Sequence, residues 1–173
     1  MDNFEVIIRE AIPEDVAEIL AFTNIVNQET DFIVVDELGI ELTEELLAIN
    51  LESIYESENN ILLVAEVNGM IVGNASVKAS SEAPIRHIGE VGMSIFKDFW
   101  GMGLGTILLE EIIAWSEETE VIYRLELTVQ ERNQRAIHLY QKLGFKEEAS
   151  LERGTRSNDG EFLTVLLMSK MIN

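Results

Sequence analysis

The sequence contains no cysteine and only two histidines, His87 and His138. That excludes disulfides, thiolate metal sites and a cysteine nucleophile, and leaves little from which to build a metal centre, so no metal is expected. Bases are scarce too: twelve Lys and Arg stand against thirty-two Asp and Glu, for a formal charge of −20. Such a field repels nucleic acid and anionic lipid at long range, and neither is an expected partner. No apolar run approaches the roughly 20 residues that cross a bilayer. The opening "MDNFEVIIRE" carries acids where a secretory signal carries bases. A cytoplasmic location is the resulting expectation. What is present is 173 residues, 47% hydrophobic and 25% charged, the composition of an ordinary globular protein and the length of one domain over residues 1–173.

Periodicity divides the chain into alternating strands and helices. "FEVIIREA" reads as a strand, and Pro13 then opens a helix through about Asn27, with Glu14 and Asp15 suited to its first turn. Thr43 is the candidate N-cap of a second helix, "EELLAINLESIY", in which Leu46, Leu47, Ile49, Asn50 and Ile54 recur at helical spacing. The connection between them, "QETDFIVVDELGIEL", is irregular. "ILLVAEV" and "MIVGNASVKA" form a hairpin about Asn68-Gly69, and "HIGEVGMSIF" is a fourth strand. A helix from about Gly103 to Glu118 places Leu104, Ile107, Leu108, Ile112 and Trp115 on one face. A strand "RLELTV", a helix "QRAIHLYQKL" stopped at Gly144, and two strands joined through Asn158-Asp159-Gly160 complete the order. The expected fold is α/β, a mixed sheet whose fourth and fifth strands are parallel and joined by a crossover helix.

The fourth strand feeds "FWGMGLGTILLEEII", Phe99 to Ile113, in which Gly101, Gly103 and Gly105 alternate with large residues. Glycines let main-chain N–H groups approach a ligand closely, and at a helix start those groups are unpaired and carry the positive end of the dipole. The stretch reads as a phosphate cradle, with a simple tight turn as the alternative. A P-loop would need a lysine after Gly105, where Thr106 stands. The dinucleotide fingerprint needs Gly-x-Gly-x-x-Gly on the first strand–helix turn, and this is Gly-x-Gly-x-Gly on a late one.

Together with "NQRAIHLYQKLGF" some 30 residues later, this stretch resembles the GNAT superfamily of acyl-coenzyme A-dependent N-acyltransferases. The family's pyrophosphate motif, Gln/Arg-x-x-Gly-x-Gly/Ala, fits Gly103 and Gly105, with Gly101 as a frequent extra and Trp100 in place of the Gln or Arg. The second motif is met by Asn133, Ala136, Tyr140 and Gly144-Phe145. The resemblance implies a GNAT fold, with about seven strands, about four helices and a splayed parallel pair of fourth and fifth strands. It implies acetyl-CoA as cosubstrate: Met93, Ser94 and Ile95 would pair with the pantetheine arm like an added strand, and Gly101, Met102, Gly103, Leu104, Gly105 and Thr106 would hold the pyrophosphate. Asn133 and Ala136 open the helix that would flank the cofactor, Asn133 binding it, capping the helix, or both.

The reaction implied is direct transfer of an acetyl group to a primary amine of a small molecule or peptide. It needs a polarised carbonyl, an acid for the leaving thiolate and a route for the amine proton. The family motif puts Tyr140 beside the thioester sulfur as acid; a purely packing tyrosine is the alternative. A backbone N–H near Ile95 is the candidate carbonyl donor. Strand alternation sets Val91, Met93 and Ile95 on one face and Glu90, Gly92 and Ser94 on the other, so Glu90 is either the base on the acceptor side or an acid at a wet strand end. Glu126 and then His87 follow as candidates. A non-catalytic acyl-CoA sensor of the same fold is the rival function, and a homodimer is left open. Because Asp31, Asp36, Glu37 and Glu41 lie, by resemblance, beside the acceptor entrance, a cationic acceptor is expected.

Overall fold

The computed structural model describes residues 4–32 and 43–173; the 33–42 part of the expected irregular connection lies outside them. β1 (Val6–Glu10) leads through a 3₁₀ turn (Pro13–Asp15) into α1 (Val16–Glu29), and α2 (Glu44–Tyr55) precedes β2 (Ile61–Val67), β3 (Met70–Ala79) and β4 (Ile88–Ile95). A second 3₁₀ turn (Lys97–Phe99) leads to α3 (Leu104–Thr119), followed by β5 (Arg124–Gln130), α4 (Gln134–Lys142), β6 (Lys146–Arg156) and β7 (Phe162–Met171). The strands form a seven-stranded sheet in the order β1-β2-β3-β4-β5-β7-β6. All neighbours are antiparallel except β4 and β5, which are parallel as expected.

Alternation along the strands sends apolar side chains to both faces, and helices cover each. On one face Ala75, Val77, Val91, Leu125 and Leu127 pack with Leu108, Leu109 and Ile112 of α3 and Ile137 and Tyr140 of α4. On the other, Val64 and Ile71 meet Ile19, Phe22 and Val26 of α1 and Leu51 of α2. Two helix faces differ from the sequence reading. In α3 the buried stripe centres on Leu108 and Ile112 and widens toward Leu109 and Ser116, leaving Ile107 exposed. In α2 the buried residue is Leu51, with Leu47 and Ala48 partly covered, while Leu46 and Ile49 are exposed. An apolar period fixes that a face exists; which edge of it touches the sheet depends on how the helix is docked.

α1 walls the site described below, and it is held at both ends. At its start, Arg9 on β1 donates to both oxygens of Asp15 (2.7 and 2.8 Å) and to Glu66 Oε1 on β2 (2.8 Å), while Asp15 Oδ2 also accepts from the Ile12 N–H (2.9 Å). At its end, Glu29 Oε2 accepts from the Lys97 N–H (2.9 Å), tying the helix to the turn that follows β4. The Arg9 hydrogen bonds hold the Asp15 carboxyl below its usual range, against the opposing effect of burial. Because the folded value is depressed, this stabilisation is complete above the unfolded pKa of about 3.9 and is lost as pH falls from there through the folded value. Arg9→Ala, which strands Asp15 and Glu66 without their shared cation, is expected to cost on the order of 3 kcal/mol at pH 7 in urea unfolding. The cost should shrink below pH 4, and a pH-independent difference would contradict the ion pair as its source.

Candidate active site

β4 and β5 part company early. Their register runs Ile88 with Arg124, Gly89 with Leu125 and Glu90 with Glu126, and stops there, although both strands continue. The Phe96 N–H pairs with Val72 O on the β3 side (2.9 Å). Backbone groups of alternate residues face opposite edges of a strand, so Val91, Met93 and Ile95 turn theirs to the edge that β5 has left. One of these groups is occupied: the indole Nε1 of Trp100 donates to Ile95 O (2.9 Å). A cleft of about 800 Å³ fills the gap. Met93, Ile95, Leu139 and Tyr140 line it from the α3/α4 face, and Asn74, Ser76, Glu90 and Ser94 from the α1/α2 face, so it passes through the sheet.

The glycine loop sits at one mouth, and its three glycines have different uses. Gly101 (φ +79°) and Gly103 (φ +83°) occupy the left-handed region that side chains resist. A Cβ at Gly103 would meet nothing within 4 Å, so this position faces open space. Gly105 instead permits close packing: a Cβ there would lie 3.1 Å from Leu139 Cδ2 and 3.5 Å from Ile95 Cδ1. α2 and α4 are capped by side chains, Thr43 accepting from the Leu46 N–H and Asn133 from the Ala136 N–H. α3 has no side-chain cap at Gly103, and the first backbone bond back to that residue comes from Ile107. The N–H groups of Leu104, Gly105 and Thr106 thus remain at a helix N-terminus beside the cleft, the arrangement that favours an anion.

Across the gap, the Tyr140 ring is buried and leans on Phe145 (centroids 5.8 Å apart), and its hydroxyl has no hydrogen-bond partner among the described residues. Burial alone pushes its pKa up to about 12. Asn133 caps α4 through its carboxamide oxygen, which leaves the amide NH₂ for a ligand. Of the candidate bases, Glu90 lines the cleft and has no ion-pair partner among the described residues. Glu126 lies outside the lining and accepts from Arg124 Nε (2.9 Å), and His87 and His138 are also outside it. Met102, expected with the cradle, is exposed and does not line the cleft, while the Leu104 side chain turns into a core with Val67 and Val72.

The Acetyltransferase (GNAT) family profile matches residues 24–145. The chain belongs to the GNAT acetyltransferase family. Its structure is similar to that of a GNAT-family acetyltransferase from Streptococcus pneumoniae, at 48% identity and a TM-score of 0.93, covering 97% of this chain and 100% of that one. A curated relative, the L-amino acid N-acetyltransferase AaaT of Escherichia coli K12, is 27% identical over 109 residues, which are 63% of this chain and 67% of the relative. The fold is shared with yncA, a putative acetyltransferase from Salmonella typhimurium solved with its cofactor acetyl-CoA, at 23% identity and a TM-score of 0.84 over 97% of this chain and 94% of that one.

In this GNAT chain the second mouth of the cleft lies between α1, α2 and the sheet. Its wall is apolar, with Phe22, Val26, Leu47, Leu51 and Ile54, and its floor is polar, with Asn74, Ser76, Glu90 and Thr128. The wall escaped the sequence reading because amphipathic helices do not announce what lies beyond their buried stripe. The floor had a signal: Asn74, Ser76 and Lys78 recur at every second position of β3, against buried Ala75 and Val77. Of the acids expected to draw a cation here, Asp36, Glu37 and Glu41 lie outside the described residues. Asp31 is neutralised, since its carboxylate accepts from Arg132 Nη2 (2.9 Å) and the Asn158 N–H (3.1 Å), and its carbonyl accepts from Gln130 Nε2 (2.8 Å) and Arg132 Nη2 (3.0 Å). The charged residues lining the cleft are Lys78, Arg132, Arg135 and Glu90, three bases and one acid among the described residues. No helix among those residues is long and apolar enough to cross a membrane, and no group of three or more potential metal ligands occurs among them.

Tyr140 generates a direct test of the site's electrostatics. Its folded pKa of about 12 lies above the unfolded value of about 10. The phenol therefore stays protonated well past neutral pH, and the stability it confers is complete below about pH 10 and lost as pH rises toward 12. In ultraviolet titration, the tyrosinate absorbance that Tyr140→Phe removes should appear only as pH approaches 12. Its appearance near 10 in the folded protein would contradict the burial.

Proposed function

We propose that the protein is an N-acetyltransferase that moves an acetyl group from acetyl-CoA directly to a primary amine of a small molecule or peptide. The observation that carries this reading is the pairing, across one cleft, of an uncapped helix start on a glycine loop with a buried tyrosine whose hydroxyl is unpartnered. The open space at Gly103 fits a diphosphate on the N–H groups of Leu104 to Thr106. Gly101 and Gly103 leave that approach clear. The free edge of β4 fits an amide-bearing arm, which would take the Met93 N–H and carbonyl as an added strand does. Acetyl-CoA supplies the activated acyl group and the thiolate leaving group. The Ile95 N–H is the donor suited to the acyl oxygen. Tyr140 holds the proton for the thiolate, and desolvation keeps it on the phenol until it is needed. Glu90, on the opposite face, takes the amine proton directly or through a water.

The unpartnered phenol favours catalysis over an acyl-CoA sensor, because a sensor has no use for a buried donor aimed into the cleft. The acceptor's amine meets a polar floor with one carboxylate, and its body meets Phe22, Val26 and Leu51. These surroundings support a small amine with an apolar portion. A long polycation would leave them unmatched.

Gly103→Ala places a Cβ in the open space and imposes the cost of a positive φ, about 1–2 kcal/mol. The variant should fold and bind acetyl-CoA at least tenfold more weakly by calorimetry; wild-type affinity would remove the cradle from the reading. Tyr140→Phe should slow single-turnover thiol release by roughly 10²–10⁴ with acetyl-CoA affinity little changed, and Glu90→Gln should lower the rate while leaving acetyl-CoA affinity intact. A panel of amines assayed for thiol release identifies the acceptor, and failure of every amine with wild-type acetyl-CoA binding intact would return the sensor reading.

A further inference from the structure

The glycine motif departs from its usual form at Trp100, and the structure shows what the departure does. The indole lines the cleft, and its Nε1 is committed to Ile95 O at 2.9 Å, which fixes the ring. Over that ring lies the guanidinium of Arg135, its Cζ 5.2 Å from the centroid. The same guanidinium borders the glycine loop, since a Cβ built on Gly101 would be 3.5 Å from Arg135 Nη2. We propose that Arg135, carried on the face of Trp100, is the phosphate-binding side chain of this loop and takes the place of the Gln or Arg that the motif lacks, contacting the pyrophosphate of coenzyme A. The inference rests on the proposed acyl-CoA reading of the cleft.

Three observations support it. Arg9, Arg86, Arg124 and Arg132 each pair with a carboxylate, whereas Arg135, Arg153 and Arg156 have none among the described residues, and of these three Arg135 lines the cleft. It is also the second residue of α4, where the helix dipole disfavours a cation. A base kept unpaired in an unfavourable position is compensated when an anion arrives. Finally, stacking engages the flat face of a guanidinium and leaves the N–H groups along its edge free to donate, the geometry suited to two phosphate oxygens.

The test compares dissociation constants for coenzyme A and 3′-dephospho-coenzyme A by calorimetry, with thermal unfolding as a check that each variant folds. Arg135→Gln should weaken both ligands by a similar factor of about ten or more, and Arg135→Lys, which keeps the charge but not the stacked fork, should restore only part. The salt dependence of binding should flatten in Arg135→Gln. Trp100→Leu should weaken binding in the wild type and do little further in the Arg135→Gln background, because the two act as one unit. Unchanged affinity of Arg135→Gln for both ligands would overturn the inference while leaving the acyl-CoA reading in place. A loss confined to coenzyme A would overturn the pyrophosphate contact in favour of the 3′-phosphate, and additive effects of the two substitutions would overturn the platform. Failure of the wild-type protein to bind either ligand would sink the acyl-CoA reading and this inference with it.

Discussion

The parting of β4 from β5 after Glu90 and Glu126 is the constraint around which the molecule is arranged. A sheet interior normally consumes every backbone donor and acceptor, and leaving a strand edge open inside a fold costs free energy wherever water is excluded. Here the open edge is kept, and its surroundings answer to it. Trp100 covers Ile95 O, α3 begins uncapped beside the gap, and α1 is fastened at both ends so that it stands over the opening without filling it. The Phe22 and Phe96 rings, 4.7 Å apart, join α1 to the end of β4 beyond the point where its pairing with β5 stops.

Electrostatics is organised on two scales that run against each other. The whole chain is strongly acidic, yet the cleft lining holds three bases and one acid among the described residues. Screening in physiological salt confines the global repulsion to about 8 Å, so nearby donors decide what binds. Arg132 and Asp31 illustrate the local logic: a base in the cleft lining and an acid expected to draw a cation instead pair with each other, joining the end of α1 to the β5–α4 junction and the β6–β7 turn. Among the described residues, Arg135 has no such partner.

What the sequence made legible follows from the range of the interactions involved. The Asn68-Gly69 turn, the Thr43 cap and the strand–glycine–helix passage are set by neighbours a few residues apart, and the structure has them where the sequence puts them. The parallel pairing of β4 with β5 was also accessible, because a strand–helix–strand unit has few ways to close. Docking was not. Whether Ile107 or Leu109 meets the sheet, and whether Leu46 or Leu51 lies beneath α2, depends on surfaces supplied by distant residues. Alternation placed Glu90 on the face away from α3, and the structure puts it in the cleft lining; the separate uses of Gly103 and Gly105 needed coordinates, since one faces open space and the other faces Leu139. The apolar wall of the second mouth was hidden for the same reason, being assembled from α1 and α2, far in sequence from both motifs.

Because the cleft passes through the sheet, its two mouths are built from different stretches of chain. The loop and helix starts at one mouth come from residues near 100 and 135, and the wall at the other comes from residues 22–32 and 47–54. α1 is tied through Glu29 and Phe22 to the turn before the glycine loop, so it is the α2 part of the wall, Leu47 and Ile54, that can be exchanged without disturbing the loop, and a change of clientele there requires no rebuilding of the other entrance. A sheet with a gap in it gives the two halves of one site separate scaffolds.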